Sequence, residues 1–383
     1  MSRKSVLALG AVFFLTPLTA CSYQETGDEK VAQAPEATAR LDPMVSNDDP
    51  AAKLPPEDQP RPLMQAQVVL DRLGFTPGVV DGKMGMSTVN AIKGFQEARA
   101  LPITGKLDEA TIQALAEWKY IPATRVVTIS EEFANDRFVT IPKDRKEQAK
   151  LPAMGYASLA EKIAERFHTT DEVLAELNPQ LAGGPTPPAA EVPGSNEATP
   201  KPAIAYQAGM QLRVPNIGAD RFDPSAVKDP KWASTLRLLG VGTEQPKAAS
   251  IEVDKSDQVL RVLDAEGKLI AQYTATMGSS KFPLPLGTWK ILSVGHNPPW
   301  QYNPALLANA DKSDPKLEIP PGPNSPIGVV WLDLSKEHYG IHGTDEPSHI
   351  GRAESNGCIR LTNWDAARLA QMVDPGIRAV FRA

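Results

Sequence analysis

With only two cysteines in 383 residues, the chain cannot be held together by a disulfide framework. Its five histidines fall in no His/Cys/Asp set with zinc-site spacing, so neither a metal nor another cofactor is expected. Charged residues make up 22% of the chain and the net charge is −6, too mild and too acidic for a nucleic-acid surface. The apolar run from Val6 to Leu15 is too short to span a bilayer stably. Proline, by contrast, is plentiful. The 36 prolines exceed what one compact domain uses and point to linkers joining two or three domains.

The N-terminus carries the compartment signal. Arg3 and Lys4 precede the apolar run, and Leu18-Thr19-Ala20-Cys21 follows with small residues at a cut site. This resembles a bacterial lipoprotein signal. The resemblance implies that residues 1–20 are removed and that Cys21 is lipidated as the first mature residue, holding the protein on a membrane without a spanning helix. An ordinary secretory signal with an incidental cysteine is the other reading. Ser22 after Cys21 resembles the outer-membrane sorting pattern, so the expected location is the periplasm, anchored to the outer membrane. With Cys21 committed to lipid, Cys358 has no internal disulfide partner, and an unpaired thiol in an oxidising compartment needs a chemical reason to be there.

Residues 21–62 are acidic and proline-rich, with Asp48-Asp49-Pro50 and Pro55-Pro56 among few large apolar groups. They bury too little surface to offset their ordering entropy and read as a disordered tether of about 40 residues, with a coil span on the order of 35 Å. Across residues 63–120, Ala66, Val69, Leu70 and Leu73 fall at helical spacing, as do Val89, Ile92 and Phe95. Asp108 suits the N-cap of a third helix, with Leu107 and Ile112 placed as a hydrophobic staple. This string, with the turn-rich Gly78 to Thr88 and Thr104-Gly105-Lys106-Leu107, resembles the small three-helix peptidoglycan-binding domain. Asp81, Gly82 and Gly85 read first as turn formers and only then as ligand contacts.

Residues 121–220 hold two short amphipathic helices, Ser158 to Phe167 and Thr170 to Leu177, stopped by Asn178-Pro179. A strand signal follows at Gly209 to Asn216. The order resembles a LysM carbohydrate-binding module, although its first strand is missing before Ser158 and a Pro/Gly-rich insert, 183–202, divides it. Residues 221–248 read as a linker. From 249 to 383 the pattern turns to period two and β-branched residues, with strands expected at 251–253, 259–262, 269–276, 288–294 and 327–334. Asp264-Ala-Glu-Gly267 supplies a hairpin turn, and Trp364 to Met372 one helix. The expected architecture is multidomain: an all-α domain, an α/β LysM-like module and a mainly antiparallel β domain.

The chemistry concentrates in Tyr339-Gly-Ile-His342-Gly343-Thr344 and Glu354-Ser355-Asn356-Gly357-Cys358-Ile359-Arg360. A thiol attacks carbonyls only as thiolate, and a histidine in reach can take its proton and return it to a leaving amine. Gly357 clears space beside Cys358, whose backbone N–H, with a neighbour, could stabilise an oxyanion. On the residues alone, such a pair competes evenly with a buried structural cysteine.

These motifs, with Met277-Gly278, Pro285-Leu-Gly287-Thr288 and Pro326-Ile-Gly328, resemble the YkuD-type L,D-transpeptidases, which implies a β-sandwich catalytic domain at 249–383. The resemblance implies Cys358 as nucleophile, His342 as base, the Gly343 carbonyl orienting the imidazole, and Arg360 shaping the substrate site beside Ser355 and Asn356. The family usually has histidine where Asn356 stands. His338, four before His342, would share its strand face beside Tyr339; His296 is a substrate wall or a loop residue; His168 and His349 read as solvated. The implied reaction takes a peptidoglycan tetrapeptide stem as donor, releases D-alanine and passes the acyl group from the thioester to an amine of another stem, a protein lysine or a free D-amino acid. A non-catalytic wall anchor and a hydrolytic carboxypeptidase or amidase are the rival readings.

Overall fold

The computed structural model describes residues 45–47, 59–181, 204–217, 222–307, 310–353 and 355–383, all within one compact unit, 39–383. The expected signal (1–20), Cys21, most of the 21–62 tether, the 183–202 insert and Glu354 lie outside the described residues. Of the tether, 45–47 form β1 (Val45–Asn47), paired antiparallel to a strand of the middle module, and 59–62 lead into the first helix.

The first helices are α1 (Pro62–Arg72) and α2 (Met86–Ala98), joined through the two-residue strand β2 (Phe75–Thr76), with α3 (Glu109–Leu115) following. Asp108 caps α3 by accepting from the Thr111 N–H. The expected staple fails at one end: Ile112 is 56% exposed, while Leu107 packs against the Phe95 and Ile92 cluster. Two buried glutamines hold the turns. Gln67 Nε2 donates to Asp81 Oδ1 and Thr88 Oγ1 at 3.0 Å each, and its Oε1 accepts from the Gly82 N–H at 2.7 Å. Gln96 does the same for Thr104, Gly105 and Thr111. Asp81 and Gly82 are therefore committed to shaping the turn.

The middle module contains β3 (Thr124–Ile129), the short α4 (Glu131–Ala134) and α5 (Arg145–Gln148), then α6 (Leu159–Arg166), α7 (Asp171–Leu177) and β4 (Gln211–Pro215). Ser158 and Thr170 cap α6 and α7 through their hydroxyls. β3, not expected from the sequence, lies some 30 residues before α6 and pairs antiparallel with β4. Val127, Ile129, Leu212 and Val214 point inward against Ile163, Phe167 and Leu174.

The stretch read as a linker is part of the core of the C-terminal β domain. Helix α8 (Pro230–Leu238) buries Trp232 and Leu236, and Leu239 and Val241 follow them in. Its apolar positions are few and spaced in a helical period too short to stand out among lysines and prolines.

The remaining strands are β5 (Ser250–Asp254), β6 (Val259–Leu263), β7 (Leu269–Thr274), β8 (Thr276–Met277), β9 (Gly287–His296), β10 (Trp300–Tyr302), β11 (Leu317–Ile319), β12 (Val330–Leu334), β13 (Gly340–His342), β14 (Ile359–Arg360) and β15 (Arg378–Arg382), with α9 (Asn363–Met372) before the last. Their order is β2-β7-β6-β5-β15-β9-β12-β13-β14-β8, while β10 and β11 form a separate hairpin. The long β9 belongs to both halves of the sheet, and only Ala275 separates β7 at one end from β8 at the other. The sheet thus folds back on itself, and its inward residues (Val253, Leu260, Tyr273, Ile291, Leu332, Ile341, Ile359) enclose one core with α9. β2 of the helical domain adds in parallel to β7, covering what would be an open edge.

One buried cluster ties three segments together. His168, expected in solvent, is fully buried: Nδ1 lies 3.0 Å from Asp71 Oδ2, Nε2 lies 2.8 Å from the Leu239 carbonyl, and the ring stacks on Trp364 at 4.6 Å. Arg368 Nη2 donates to Asp71 Oδ1 at 3.2 Å. Burial alone would push the Asp71 carboxyl up; the His168 and Arg368 charges and hydrogen bonds outweigh it and bring it to about 2, below its ordinary 3.8. A depressed acid stabilises the fold above its unfolded value and loses that contribution as pH falls through the folded value. Replacing Asp71→Asn is therefore expected to lower the unfolding free energy by about 2 kcal/mol at pH 6. In urea titrations that gap should close between pH 4 and pH 2; a constant gap across the window would disprove the coupling.

Candidate active site

β13 and β14 run parallel with Ile341 opposite Ile359 and His342 opposite Arg360. Ile341 and Ile359 are fully buried in the core, so alternation turns His342 and Arg360 to the other face. Carried back one residue, the same register sets Cys358 beside Gly340, on the His342 face and diagonal to it. A strand spacing of about 4.8 Å and a rise of about 6.6 Å over two residues put the two Cα atoms about 8 Å apart, within reach of thiol and imidazole. A parallel pairing across the 343–358 loop thus brings together two residues distant in sequence.

His342 is 4% exposed and its ring stacks on Trp331, its cross-strand neighbour on β12, at 5.4 Å. Nδ1 lies 2.7 Å from the Gly343 carbonyl oxygen. A carbonyl only accepts, so Nδ1 carries the hydrogen and Nε2 presents a lone pair. Burial pushes the imidazole down, the Arg360 charge pushes it further, the Gly343 bond resists, and the result is about 3. The Cys358 Sγ receives the Gly340 N–H and lies 3.9 Å from the His338 carbonyl oxygen. Burial raises this thiol above its ordinary value, against the Gly340 hydrogen bond and the Arg360 charge. Desolvation disfavours both charged forms. At neutral pH the resting pair is a thiol and a neutral imidazole.

The loop before Cys358 is pinned by one hydroxyl. Ser355 Oγ accepts from the Gly278 N–H at 2.6 Å and the Gly357 N–H at 3.2 Å, and donates to the Cys358 carbonyl at 2.6 Å. Gly357 has φ +103°, and a Cβ there would sit 2.6 Å from the Tyr339 ring. Its missing side chain makes room for the Tyr339 ring. Asn356 is half-buried between Ser355 and Gly357.

His338 does not share the His342 face. β13 begins only at Gly340, and His338 sits in the preceding turn at φ +68°, its side chain 55% exposed and 3.4 Å from Glu337. His296 ends β9 rather than lying in a loop, and its ring stacks on Trp232 at 4.2 Å. His349 is exposed and pairs with Glu346 at 3.2 Å. Trp331 was not singled out by sequence; its signal was its place two residues into an apolar strand opposite a histidine. Asn363 was also missed, two residues beyond Leu361 at the start of α9, where its Oδ1 accepts from the Val329 N–H at 3.2 Å. Among the described residues no group of three His, Cys, Asp or Glu could hold a metal ion, and no helix is long and apolar enough to cross a membrane.

Two outcomes follow from this geometry. Alkylation of Cys358 by iodoacetamide is expected to rise only in the alkaline range, above the ordinary thiol value, with no thiolate plateau near neutrality; a plateau between pH 5 and 8 would contradict the neutral pair. Gly357→Ala is expected to destabilise the fold by about 1–3 kcal/mol and to cut Cys358 reactivity, because it strains a positive φ and strikes Tyr339. Thermal unfolding and alkylation rates measure both effects.

The L,D-transpeptidase catalytic domain model (YkuD) matches residues 248–381, and the model described as "Putative peptidoglycan binding domain" matches residues 61–115. The chain is 57% identical over 218 residues to the "Putative L,D-transpeptidase YkuD" of Bacillus licheniformis, covering 57% of this chain and 90% of the relative. It is 28% identical over 181 residues to a protein of Fuscovulum blasticum named for an L,D-transpeptidase in the ATP synthase subunits region, covering 46% and 90% respectively. A solved L,D-transpeptidase from Mycobacterium smegmatis overlaps 36% of this chain and 59% of its own at 22% identity and a TM-score of 0.30, too small an overlap to carry weight. On the Bacillus licheniformis relative, with the catalytic-domain match in agreement, the chain belongs to the YkuD-type L,D-transpeptidase family.

Proposed function

We propose that the protein is a peptidoglycan L,D-transpeptidase with Cys358 as nucleophile and His342 as general base. The observation that carries this reading is the tautomer of His342: Gly343 holds Nδ1, and Nε2 is a bare base on the same sheet face as the thiol. With an imidazole near 3 and a raised thiol, full proton transfer is uphill in the resting site. The Sγ proton therefore moves to Nε2 as the C–S bond forms at the carbonyl of the third residue of a tetrapeptide stem. His342 then delivers that proton to the departing D-alanine amine, leaving a thioester. An amine from a second stem or a protein lysine attacks the thioester, His342 takes its extra proton, and the thiol is released.

The remaining site residues take supporting roles in this reading. The Cys358 N–H serves the tetrahedral oxyanion, since the Gly357 N–H is committed to Ser355. Arg360, on the His342 face of β14, sets its positive charge beside the thiol and the imidazole, where an oxyanion would form. Tyr339, Asn356 and the exposed His338 form the rim. The helical domain and the middle module are read as wall-binding aids that raise the local concentration of an insoluble substrate. The β3-α6-α7-β4 order supports the LysM-like reading, as does Asn178, which ties α7 to β4 by accepting from the Arg213 N–H at 2.7 Å. A lipid on Cys21 would hold the enzyme at the outer membrane, in the periplasm.

Incubation of the full chain with disaccharide-tetrapeptide tests the reading by mass spectrometry. Wild type is expected to show an acyl adduct on Cys358 and freed D-alanine; Cys358→Ala should show neither, and His342→Gln should lose about 100-fold or more in rate. No adduct on wild type, or one that survives Cys358→Ala, would sink it.

A further inference from the structure

We infer that Glu165, on helix α6 of the middle module, is a positioning residue for His342, acting through Asn363 and the Gly343 backbone. This rests on the proposed acyl transfer and assigns that site a part outside the catalytic domain. Glu165 is 8% exposed, and its Oε1 accepts from Asn363 Nδ2 at 2.8 Å, across 198 positions of sequence. Asn363 is fully buried at the first position of α9, and its Nδ2 also donates to the Pro323 carbonyl at 3.2 Å. Its Oδ1 accepts from the Val329 N–H at 3.2 Å and lies so close to Gly343 and Gly328 that neither could carry a Cβ. The Gly343 carbonyl in turn holds His342 Nδ1.

The logic is one of orientation. A side-chain amide can be turned over with little change of shape, and only its partners decide which end is oxygen. Glu165 offers an acceptor, so the NH₂ end must face it and the oxygen must face Val329 and Gly343. With the amide reversed, two N–H donors would confront each other at Val329 and the bulkier NH₂ would press on Gly343. The Gly343 peptide would shift, and with it the one bond that sets the His342 tautomer. Tyr156, also buried, hydrogen-bonds the Glu165 carboxyl and steadies it. Burial raises Glu165 to about 7, so its acceptor oxygen rather than its charge is what Asn363 uses. Nor is Asn363 the only tie on α9: the next residue, Trp364, stacks on His168, which closely follows α6, and Arg368 reaches Asp71 on α1. The accessory segments grip the helix whose first residue supports the catalytic loop.

The test uses the full chain with Glu165→Met, which keeps the side-chain volume and removes the acceptor. Glu165→Gln retains it, and Lys162→Met serves as a control that breaks the Lys162–Asp136 pair on the same helix. Glu165→Met is expected to lower kcat for D-alanine release by about 10- to 100-fold with KM within about 2-fold, since a small misplacement of a reacting group costs that much. Glu165→Gln should restore most of kcat. Lys162→Met should lower the melting temperature without lowering kcat comparably. The His342 Nδ1–H resonance in ¹⁵N-histidine spectra should shift or broaden in Glu165→Met and hold its position in Glu165→Gln. Wild-type turnover by Glu165→Met with an unmoved resonance, or a loss of kcat in Lys162→Met as large as in Glu165→Met, would overturn the inference. If wild type itself does not turn over, the transferase reading fails, and the resonance alone still decides whether Glu165 positions His342.

Discussion

The bond from His342 Nδ1 to the Gly343 carbonyl is the interaction on which the site depends. An imidazole can offer either nitrogen as base, and a neighbouring acceptor chooses between them. Here the acceptor is a main-chain carbonyl one residue away, so the choice is as rigid as the backbone that carries it. Much of the surrounding structure serves that rigidity: Trp331 stacked on the ring, Asn363 against Gly343, and the parallel β13–β14 ladder that brings Cys358 alongside.

The same burial that fixes the imidazole lowers its basicity, and the thiol beside it is driven toward its neutral form. A pair of this kind holds no standing thiolate. Its low thiolate character at rest lowers its nucleophilicity until a substrate is bound. In the proposed mechanism, reaction depends on substrate binding, which brings a carbonyl whose developing negative charge is met by the Cys358 N–H and the nearby Arg360 charge.

The architecture extends this dependence beyond the catalytic domain. β2 completes an edge of the catalytic sheet, α8 fills its core from what reads as linker, and α9 is held by Glu165, His168 and Asp71 from two other segments. Modules joined only by a flexible chain would contribute effective concentration. Modules that share buried hydrogen bonds with α9 are also packed into the catalytic domain itself.

What the sequence determined by itself was local: caps at Asp108, Ser158 and Thr170, alternation in the strands, turns at glycine, and the Cys358–His342 motif with its family likeness. These depend on near neighbours in the chain and on periodicities of 2 and 3.6, which a linear reading can see. The tertiary structure alone decided the burial of His168, the packing of 222–248, the pairing of β3 with β4 and the Tyr339 ring over Gly357. Each of these arises from groups far apart in sequence meeting in a desolvated space, where the cost of an unpaired polar atom, rather than local propensity, selects the arrangement.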